Sequence, residues 1–232
     1  MLAVITPTGA RPDAFKLCQQ WMTRQTYPGP IHWIIVDDGP VPLPTPIRMP
    51  KNWMMTIVRP KPLWEPGQNT QGRNLKAGLE EVERGWPVTI VEDDDYYAPG
   101  WLEWVVDMIP ATELIGERDA IYYNVKFRRF SQLGNKRNAS LRCTAMRDGA
   151  IEKFHRVLER PQTYYDLQLW KHHARKLTFP RLYTVGIKGM PGRGGIARGH
   201  DRPEGEFDPR LSKLRAVIGE DAAVYAPFYQ GA

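Results

Sequence analysis

Short apolar runs and amphipathic segments alternate along the first half of the chain. The continuous apolar runs are typical of buried strands and cover residues 2–6, 31–36, 54–58 and 88–91. The segments between them repeat apolar residues every three or four positions, as a helix with one buried face does, and they begin at Pro12, near Leu75 and at Pro99. This alternation predicts an α/β fold in which a mostly parallel sheet carries helices on both faces.

The second half has a less regular pattern. Residues 121–130, 141–146 and 183–188 have the apolar character of strands, and residues 162–176 have that of a helix. A glycine-rich loop, 189–199, follows the last of these strands. We therefore expect an irregular C-terminal part attached to a regular α/β half.

The composition excludes several classes of protein. Of the 232 residues, 42% are hydrophobic and 25% are charged, which indicates a globular chain and not a disordered or collagen-like one. Cys18 and Cys143 are too few for a disulfide scaffold or a four-cysteine zinc site, so we expect two buried free thiols in a reducing compartment. We find no apolar stretch long enough for a secretory signal or a membrane span, which favours a cytoplasmic protein with no membrane partner.

The net charge of +6 is unevenly distributed. Residues 80–107 hold nine acidic side chains and one basic one, whereas residues 120–147 hold seven basic side chains and no acidic one. A second basic stretch, 171–202, holds eight bases and one acid. This layout suits a cation site beside a surface that receives phosphates, and the alternative is a set of solvated charged faces.

Four consecutive acids, Glu92 to Asp95, directly follow the apolar run 88–91. Ligands of open α/β sheets bind at the carboxyl ends of the strands, and adjacent carboxylates repel unless a cation or strong donors neutralise them. Carboxylate oxygens on a short turn suit Mg²⁺ or Mn²⁺ bound together with a diphosphate. The alternative is a solvated acidic turn at the start of the next helix. The chain has neither the spacing of a P-loop nor that of an EF-hand.

Five segments occur in the order known from one enzyme family: AVITPTGAR, IIVDDG, QGRNLKAGLEEV, VTIVEDDDYYAPGWLE and YYDLQLW. With them the chain resembles the family-2 type of GT-A glycosyltransferase, which transfers a sugar from a nucleotide-diphosphate donor. The resemblance covers about the first 110 residues well and the rest loosely. It implies a GT-A (Rossmann-like) fold, with a nucleotide-sugar-binding half, 1–110, and an acceptor-binding and catalytic half, 111–232, in a single domain.

The resemblance also implies roles for individual residues of the donor site. The residues expected to bind the nucleotide-sugar are Thr6, Asp38, Arg73, Asp93 and Asp94. The ligands expected for a divalent ion, Mn²⁺ or Mg²⁺, are Asp94, Asp95 and a C-terminal histidine, His200. The family motif begins with an aspartate where this chain has Glu92, so the choice of metal-binding carboxylate among the four stays open.

Two further predictions concern the second half. Asp166, in the segment YYDLQLW, stands where the family has its catalytic base, although an isolated acid at this place is an ordinary first-turn helix residue. A base acting on an acceptor beside a metal-bound donor implies in-line displacement with inversion. The loop 189–199 is expected to close over the donor with Arg193 and Arg198 in reach of its phosphates, and the alternative is a plain flexible loop.

The donor that the resemblance implies is a UDP-sugar, and the leading acceptor is a hydroxymethylated pyrimidine in DNA. The first basic stretch carries Tyr122, Tyr123, Phe127 and Phe130, a combination suited to phosphates and stacked bases. The size and charge are similar to those of phage-encoded enzymes that glycosylate DNA. The alternatives are a polysaccharide, lipid-linked or small-molecule acceptor, a nucleotidyltransferase that uses the same carboxylates, and a non-catalytic DNA-binding protein.

Overall fold

Two β-sheets and six α-helices form the part of the protein that the computed structural model describes, which is residues 1–44, 49–160, 164–180, 183–195, 200, 202 and 204–230. The strands are β1 (Leu2–Thr8), β2 (Ile31–Asp37), β3 (Trp53–Val58), β4 (Val88–Ile90), β5 (Tyr96–Tyr97), β6 (Leu114–Glu117), β7 (Ile121–Asn124), β8 (Arg129–Gln132), β9 (Thr144–Met146), β10 (Lys176–Phe179), β11 (Thr184–Lys188) and β12 (Glu206–Phe207). The α-helices are α1 (Pro12–Thr23), α2 (Gln71–Glu80), α3 (Trp101–Met108), α4 (Gly149–Leu158), α5 (Tyr165–Trp170) and α6 (Ser212–Ile218).

The larger sheet has seven strands in the order β10-β6-β9-β4-β1-β2-β3. Its strands run parallel except for β9, which is antiparallel to both of its neighbours, β4 and β6. The prediction of a mostly parallel sheet is therefore confirmed. Three of its strands, β6, β9 and β10, come from the second half of the chain, so both halves build the same sheet.

Helices α1 and α2 pack on opposite faces of this sheet. Phe15 of α1 stacks on Trp33, with the ring centroids 6.2 Å apart. Gly78 of α2 lies against Ile5 and Val36, so closely that a Cβ at this position would overlap the Ile5 side chain. Trp33 and Val36 lie three residues apart on β2 and face opposite sides of the pleat, which confirms the prediction of helices on both faces.

The smaller sheet, in the order β12-β8-β7-β11-β5, belongs mainly to the second half. Its strand β5 follows directly after the four acids and pairs antiparallel with β11. The carboxylate cluster thus lies where the carboxyl end of β4 meets the second sheet.

Several predicted elements of the second half differ from the structure. The run 121–130 is a hairpin and not one strand, because the chain turns between β7 and β8 with Arg128 at a φ of +49°. The predicted helix 162–176 is helical only in α5; His172, at a φ of +54°, lies beyond its end and β10 follows. Residues 162 and 163 of that prediction lie outside the described residues.

Three other elements of the second half extend or correct the prediction. In the predicted strand 141–146, only β9 is a strand, since Leu141–Cys143 form a 3₁₀ turn. Helix α4 was not predicted, although Ala150, Phe154 and Leu158 recur at intervals of four residues and are all buried. Helix α6 and the following 3₁₀ segment, Gly219–Phe228, were not predicted either.

Both cysteines are buried free thiols, as predicted. None of the helices within the described residues is long and apolar enough to cross a membrane.

A buried polar network joins the two sheets. Glu117, at the end of β6, accepts a hydrogen bond from the backbone N–H of Tyr183. It also accepts from the backbone N–H of Thr184 at 3.1 Å and from the Thr184 hydroxyl at 2.8 Å. Arg142 donates to the Thr184 hydroxyl and to the carbonyl oxygen of Ile121, the latter at 3.2 Å. Burial raises the pKa of Glu117 to about 7. These bonds hold β11 in its position beside the carboxylate cluster.

We expect Glu117→Ala to lower the free energy of unfolding by about 2–4 kcal/mol, because it leaves the N–H groups of Tyr183 and Thr184 and the Thr184 hydroxyl without their acceptor. Urea denaturation measures this change. The matched control is Glu159→Ala, which removes an exposed acid at the end of α4 and should shift the free energy by less than about 0.5 kcal/mol. Equal small effects of the two variants would contradict the role given to Glu117.

Candidate active site

A cavity of about 460 Å³ opens at the carboxyl ends of the parallel strands, between the two sheets. Four residues predicted for the site line it: Asp94, Asp166, Arg193 and His200. Glu92, Arg11 and Lys188 line it as well. Because these side chains come from both halves of the chain, the cavity exists only in the folded protein.

Three of the four consecutive acids form a compact cluster. One carboxylate oxygen each from Glu92, Asp94 and Asp95 lies within 4.8 Å of the other two. Glu92 and Asp94 face the cavity. Asp95 lies behind them and accepts a hydrogen bond from the backbone N–H of Ile187 at 2.7 Å, so part of its function is to hold β11.

Asp93 is buried next to this cluster and is bound by the protein itself. Arg11 Nη2 lies 2.5 Å from an Asp93 carboxylate oxygen, and Arg11 Nη1 lies 2.8 Å from an oxygen of Asp94. The hydroxyl of Thr8 donates to the other Asp93 oxygen at 2.6 Å. Arg11 therefore neutralises two of the carboxylates at once.

The buried acids differ in their pKa values because their neighbours differ. Burial raises the pKa of Asp95 to about 8 and that of Asp93 to about 6, since Arg11 offsets only part of the desolvation at Asp93. At Asp94 burial acts in the same direction, but the charges of Arg11 and Lys188 outweigh it and hold the pKa below its usual value. Asp94 is therefore the carboxylate of the cluster that most readily stays ionised while facing the cavity.

The residues present fit a divalent metal ion. The donor set consists of hard carboxylate oxygens, the ligands that Mg²⁺ and Mn²⁺ prefer. Asp95 Oδ2 is buried without a hydrogen-bond partner, and Arg142 Nε lies 3.6 Å away from it. A divalent ion would hence be held by Asp94 and Glu92, with Asp95 behind them.

His200 lines the same cavity but lies outside the group of mutually close carboxylate oxygens. Burial lowers its pKa to about 3, with the charge of Lys188 acting in the same direction, so its imidazole is neutral. Its ring packs on Gly195, where any Cβ would overlap it. The structure thus brings His200 into the site without placing it in the carboxylate cluster.

Asp38, at the end of β2, is buried and accepts three side-chain hydrogen bonds. Its Oδ2 accepts from Arg73 Nη2 at 2.9 Å and from the hydroxyl of Thr70, and its Oδ1 accepts from Arg193 Nη1 at 2.8 Å. The structure thereby brings together three residues predicted for donor binding: Asp38, Arg73 and Arg193. Arg193, expected within reach of phosphates, has its guanidinium on Asp38 in the structure. Arg198, the other arginine of that loop, lies outside the described residues.

The structure does not place the side chain of Thr6 at the cavity. Its hydroxyl is fully buried and accepts a hydrogen bond from Trp33 Nε1 at 2.9 Å, on the face that α1 covers. Strand β1 continues two residues beyond Thr6. Thr8, at its end, is therefore the threonine whose hydroxyl reaches the acids, where it binds Asp93.

Asp166 lies in the first turn of α5, as predicted, and faces the cavity that Glu92 and Asp94 also line. Its carboxylate accepts the backbone N–H of Leu167 at 2.9 Å, and burial raises its pKa. The neighbouring Tyr165 packs against Gly72 of α2, where a Cβ would overlap the tyrosine hydroxyl. Gly72 therefore lets α5 approach α2 closely enough for Asp166 to reach the cavity.

Sequence reasoning did not single out Arg11, Lys188 or Trp64. Lys188, at the end of β11, has its pKa raised because Asp95, Asp94 and Glu92 outweigh the effect of its burial. The ring of Trp64 lies 5.0 Å from the guanidinium carbon of Arg193. The sequence signal for Arg11 was its place in the segment AVITPTGAR, directly after the first strand.

The basic stretch 120–147 does not form one surface. Arg142 is buried within the network described above, and Arg147 follows β9 at the opposite end of the sheet, where Met146 pairs with the first residue of β4. Of its aromatic residues, Tyr123 is completely buried, so the expectation of a free stacking face is wrong for this ring. The Phe130 ring already has a cation over it, since Lys213 Nζ lies 6.0 Å from the ring centroid.

No protein-family model and no curated protein matches the chain. Among solved structures, the fold is similar to that of S. aureus TarS, with a TM-score of 0.54 and 13% sequence identity over 80% of this chain and 36% of that one. Two further matches are TarS residues 1–349 in complex with UDP-GlcNAc and with UDP. Both have a TM-score of 0.52, with 13% and 14% identity, and cover 80% of this chain and 58% and 60% of the TarS chain, respectively.

The comparison with TarS confirms the expected GT-A fold. The chain spans between about one third and three fifths of the length of the TarS chains that it matches. At this level of identity the likeness concerns the fold alone.

We expect Mn²⁺ to stabilise the native protein. The carboxylate cluster is assembled by the fold, so the ion binds the folded protein and not the unfolded chain. At a concentration about 100 times the Kd, the gain is about 2.7 kcal/mol, or a rise in Tm of about 5 °C or more. Asp94→Asn should abolish most of this rise, and the exposed-site control Asp107→Asn should retain it. Thermal unfolding with and without Mn²⁺ measures both, and an undiminished shift in Asp94→Asn would contradict the assignment.

Proposed function

We propose that the protein is a metal-dependent, inverting glycosyltransferase that moves a sugar from a nucleotide-diphosphate donor to an acceptor hydroxyl. The observation that carries this proposal is a single cavity lined both by Glu92 and Asp94 and, from the other half of the chain, by Asp166. Metal-binding carboxylates and a separate general base are the two groups that this transfer needs. The complexes of TarS with UDP and UDP-GlcNAc favour a UDP-sugar as the donor.

The donor is proposed to bind along the carboxyl ends of the parallel strands. Its base would lie at Asp38 and Arg73, and its diphosphate beside Asp94. A divalent ion held by Asp94 and Glu92 would neutralise charge that develops on the departing diphosphate. Arg11 and Lys188, both on the cavity wall, add fixed positive charge in the same place and keep the acids from repelling the donor.

Asp166 is proposed to accept the proton of the acceptor hydroxyl. As the acceptor oxygen forms its bond to the anomeric carbon, the bond from that carbon to the diphosphate oxygen breaks and its electron pair leaves with the diphosphate. Attack from the face opposite the leaving group inverts the anomeric configuration. Positioned general bases of this kind contribute about 10²- to 10⁴-fold to the rate.

The acceptor is proposed to enter beside Asp166, in the cavity that Ser131, Asn138 and Tyr164 also line. Hydroxyl, amide and phenol groups suit an acceptor that itself carries hydroxyls. The proposed acceptor is therefore a compound with a free hydroxyl, and DNA, saccharides, lipid-linked sugars and small molecules all belong to this class.

We expect Asp166→Asn to reduce sugar transfer by about 10²-fold or more, because an amide cannot take up the acceptor proton. Donor binding should stay near that of the parent. The measurement is UDP release from UDP-sugars with Mn²⁺ and an acceptor, together with the Kd for UDP. Asp13→Asn, an exposed first-turn acid of α1, is the control and should leave both values unchanged. Release of pyrophosphate in place of UDP would favour the nucleotidyltransferase alternative.

The pH dependence of transfer gives a separate test. Because burial raises the pKa of Asp166, the ionised form that acts as base is lost at a higher pH than for an exposed aspartate. We expect kcat/KM to fall as the pH decreases through that raised value and to stay level above it. A profile in Asp166→Asn that keeps the same acidic limb would assign the limb to another group.

A further inference from the structure

The carboxylate proposed to recognise the donor base is already engaged by an arginine of the second half. Arg193 Nη1 donates to Asp38 Oδ1 at 2.8 Å, and Arg193 Nη2 donates to the Thr70 hydroxyl at 2.7 Å. Only 12% of the Arg193 side chain is exposed. These hydrogen bonds of a mostly buried side chain join the segment after β11 to the end of β2.

The guanidinium also lies over an aromatic ring. Its central carbon is 5.0 Å from the centroid of Trp64, within the range of a cation–π contact. A flat group over an aromatic ring, with N–H donors directed at a carboxylate, makes the same two kinds of contact as a pyrimidine base with an imide N–H would make. Arg193 therefore satisfies Asp38 and Trp64 in the way that a bound base is expected to.

The two oxygens of Asp38 are used differently. Arg73 and Thr70 both donate to Oδ2, whereas Arg193 donates to Oδ1. If Arg193 leaves, the buried carboxylate keeps two partners and Oδ1 becomes free to accept a new hydrogen bond. Loss of Arg193 therefore opens an acceptor position without leaving a buried charge unpaired.

The backbone beside Arg193 is docked as well. Its N–H donates to the carbonyl oxygen of Ala10 at 3.1 Å. The preceding Gly192 has a φ of +97°, and a Cβ there would overlap the same carbonyl group. The segment thus rests on the loop between β1 and α1, next to Arg11, and it is held there by Arg193 through both its backbone and its side chain.

We propose that Arg193 stands in for the donor base: in the free protein it occupies the base position at Asp38, and a uracil base must displace it to bind. This inference rests on the proposed function, since it requires that Asp38 receives the base. Displacement couples donor binding to release of the segment that contains Gly192 from Ala10. Arg193 therefore lowers the affinity for the nucleoside part of the donor by competing with it.

The test compares the affinity of Arg193→Met and of the parent for uridine, a probe without phosphates, by calorimetry. Methionine keeps an apolar stem but removes the competing donors, so we expect uridine to bind at least about three times more tightly. Arg202→Met removes an exposed arginine of the same region and should bind as the parent does. 3-Methyluridine, whose base cannot donate at N3, should gain no affinity in the Arg193 variant.

The outcomes separate the two proposals. Uridine affinity that is unchanged or weaker in Arg193→Met overturns the inference and leaves the proposed function standing. If neither the parent nor the variants bind uridine or UDP, the proposed function fails and the inference fails with it.

A second measurement on the parent protein decides the matter even where Arg193→Met does not fold. Hydrogen exchange of the Arg193 amide, which is bonded to Ala10 in the free protein, should become faster when uridine is bound. Exchange that is unchanged or slower would show that the segment does not undock, and would overturn the inference.

Discussion

Four carboxylates in immediate succession have to be held in a corner of the fold from which water is largely excluded, and their mutual repulsion is the constraint around which the structure is arranged. Arg11 binds Asp93 and Asp94 directly, and Arg142 lies beside Asp95. Lys188 adds a third positive charge close to the acids, on the cavity wall. These three cations come from the loop after β1, from the turn before β9 and from β11. The acidic turn therefore depends on contributions from both halves of the chain, and the two sheets are joined at this place.

The same arrangement divides the acids by function. Asp93 and Asp95 point into the protein, where Thr8, Arg11 and the N–H of Ile187 hold them. Asp94 and Glu92 point into the cavity. A contiguous acidic sequence thus supplies two structural anchors and two groups that are open to a ligand, because successive residues of a turn leave the backbone in different directions.

The regular half of the fold could be predicted because its strands and helices carry complete hydrophobic patterns. Strand β6 was missed because it is short and contains a buried glutamate, whose role depends on Arg142 and Thr184 from distant parts of the chain. The apolar run 2–6 stops before Pro7, so the sequence does not show that β1 continues to Thr8. In the structure, β4 pairs with β1 only as far as Ile5, so the missing N–H of Pro7 costs no bond to β4. The acids and Asp166 could be located by motif order, but the positions of Arg11 and Lys188 depend on tertiary contacts that no local pattern records.

The central position of β4 has a consequence for how the chain folds. One edge of β4 pairs with β1, and the other pairs with β9, whose residues lie more than fifty positions further along the sequence. While the ribosome is still making the intervening segment, that second edge has open N–H and C=O groups, which is the feature that lets unfinished sheets associate with other chains. Closing so long a loop is also slow relative to local helix formation. The strand next to the acids is thus completed late, although it is synthesised early.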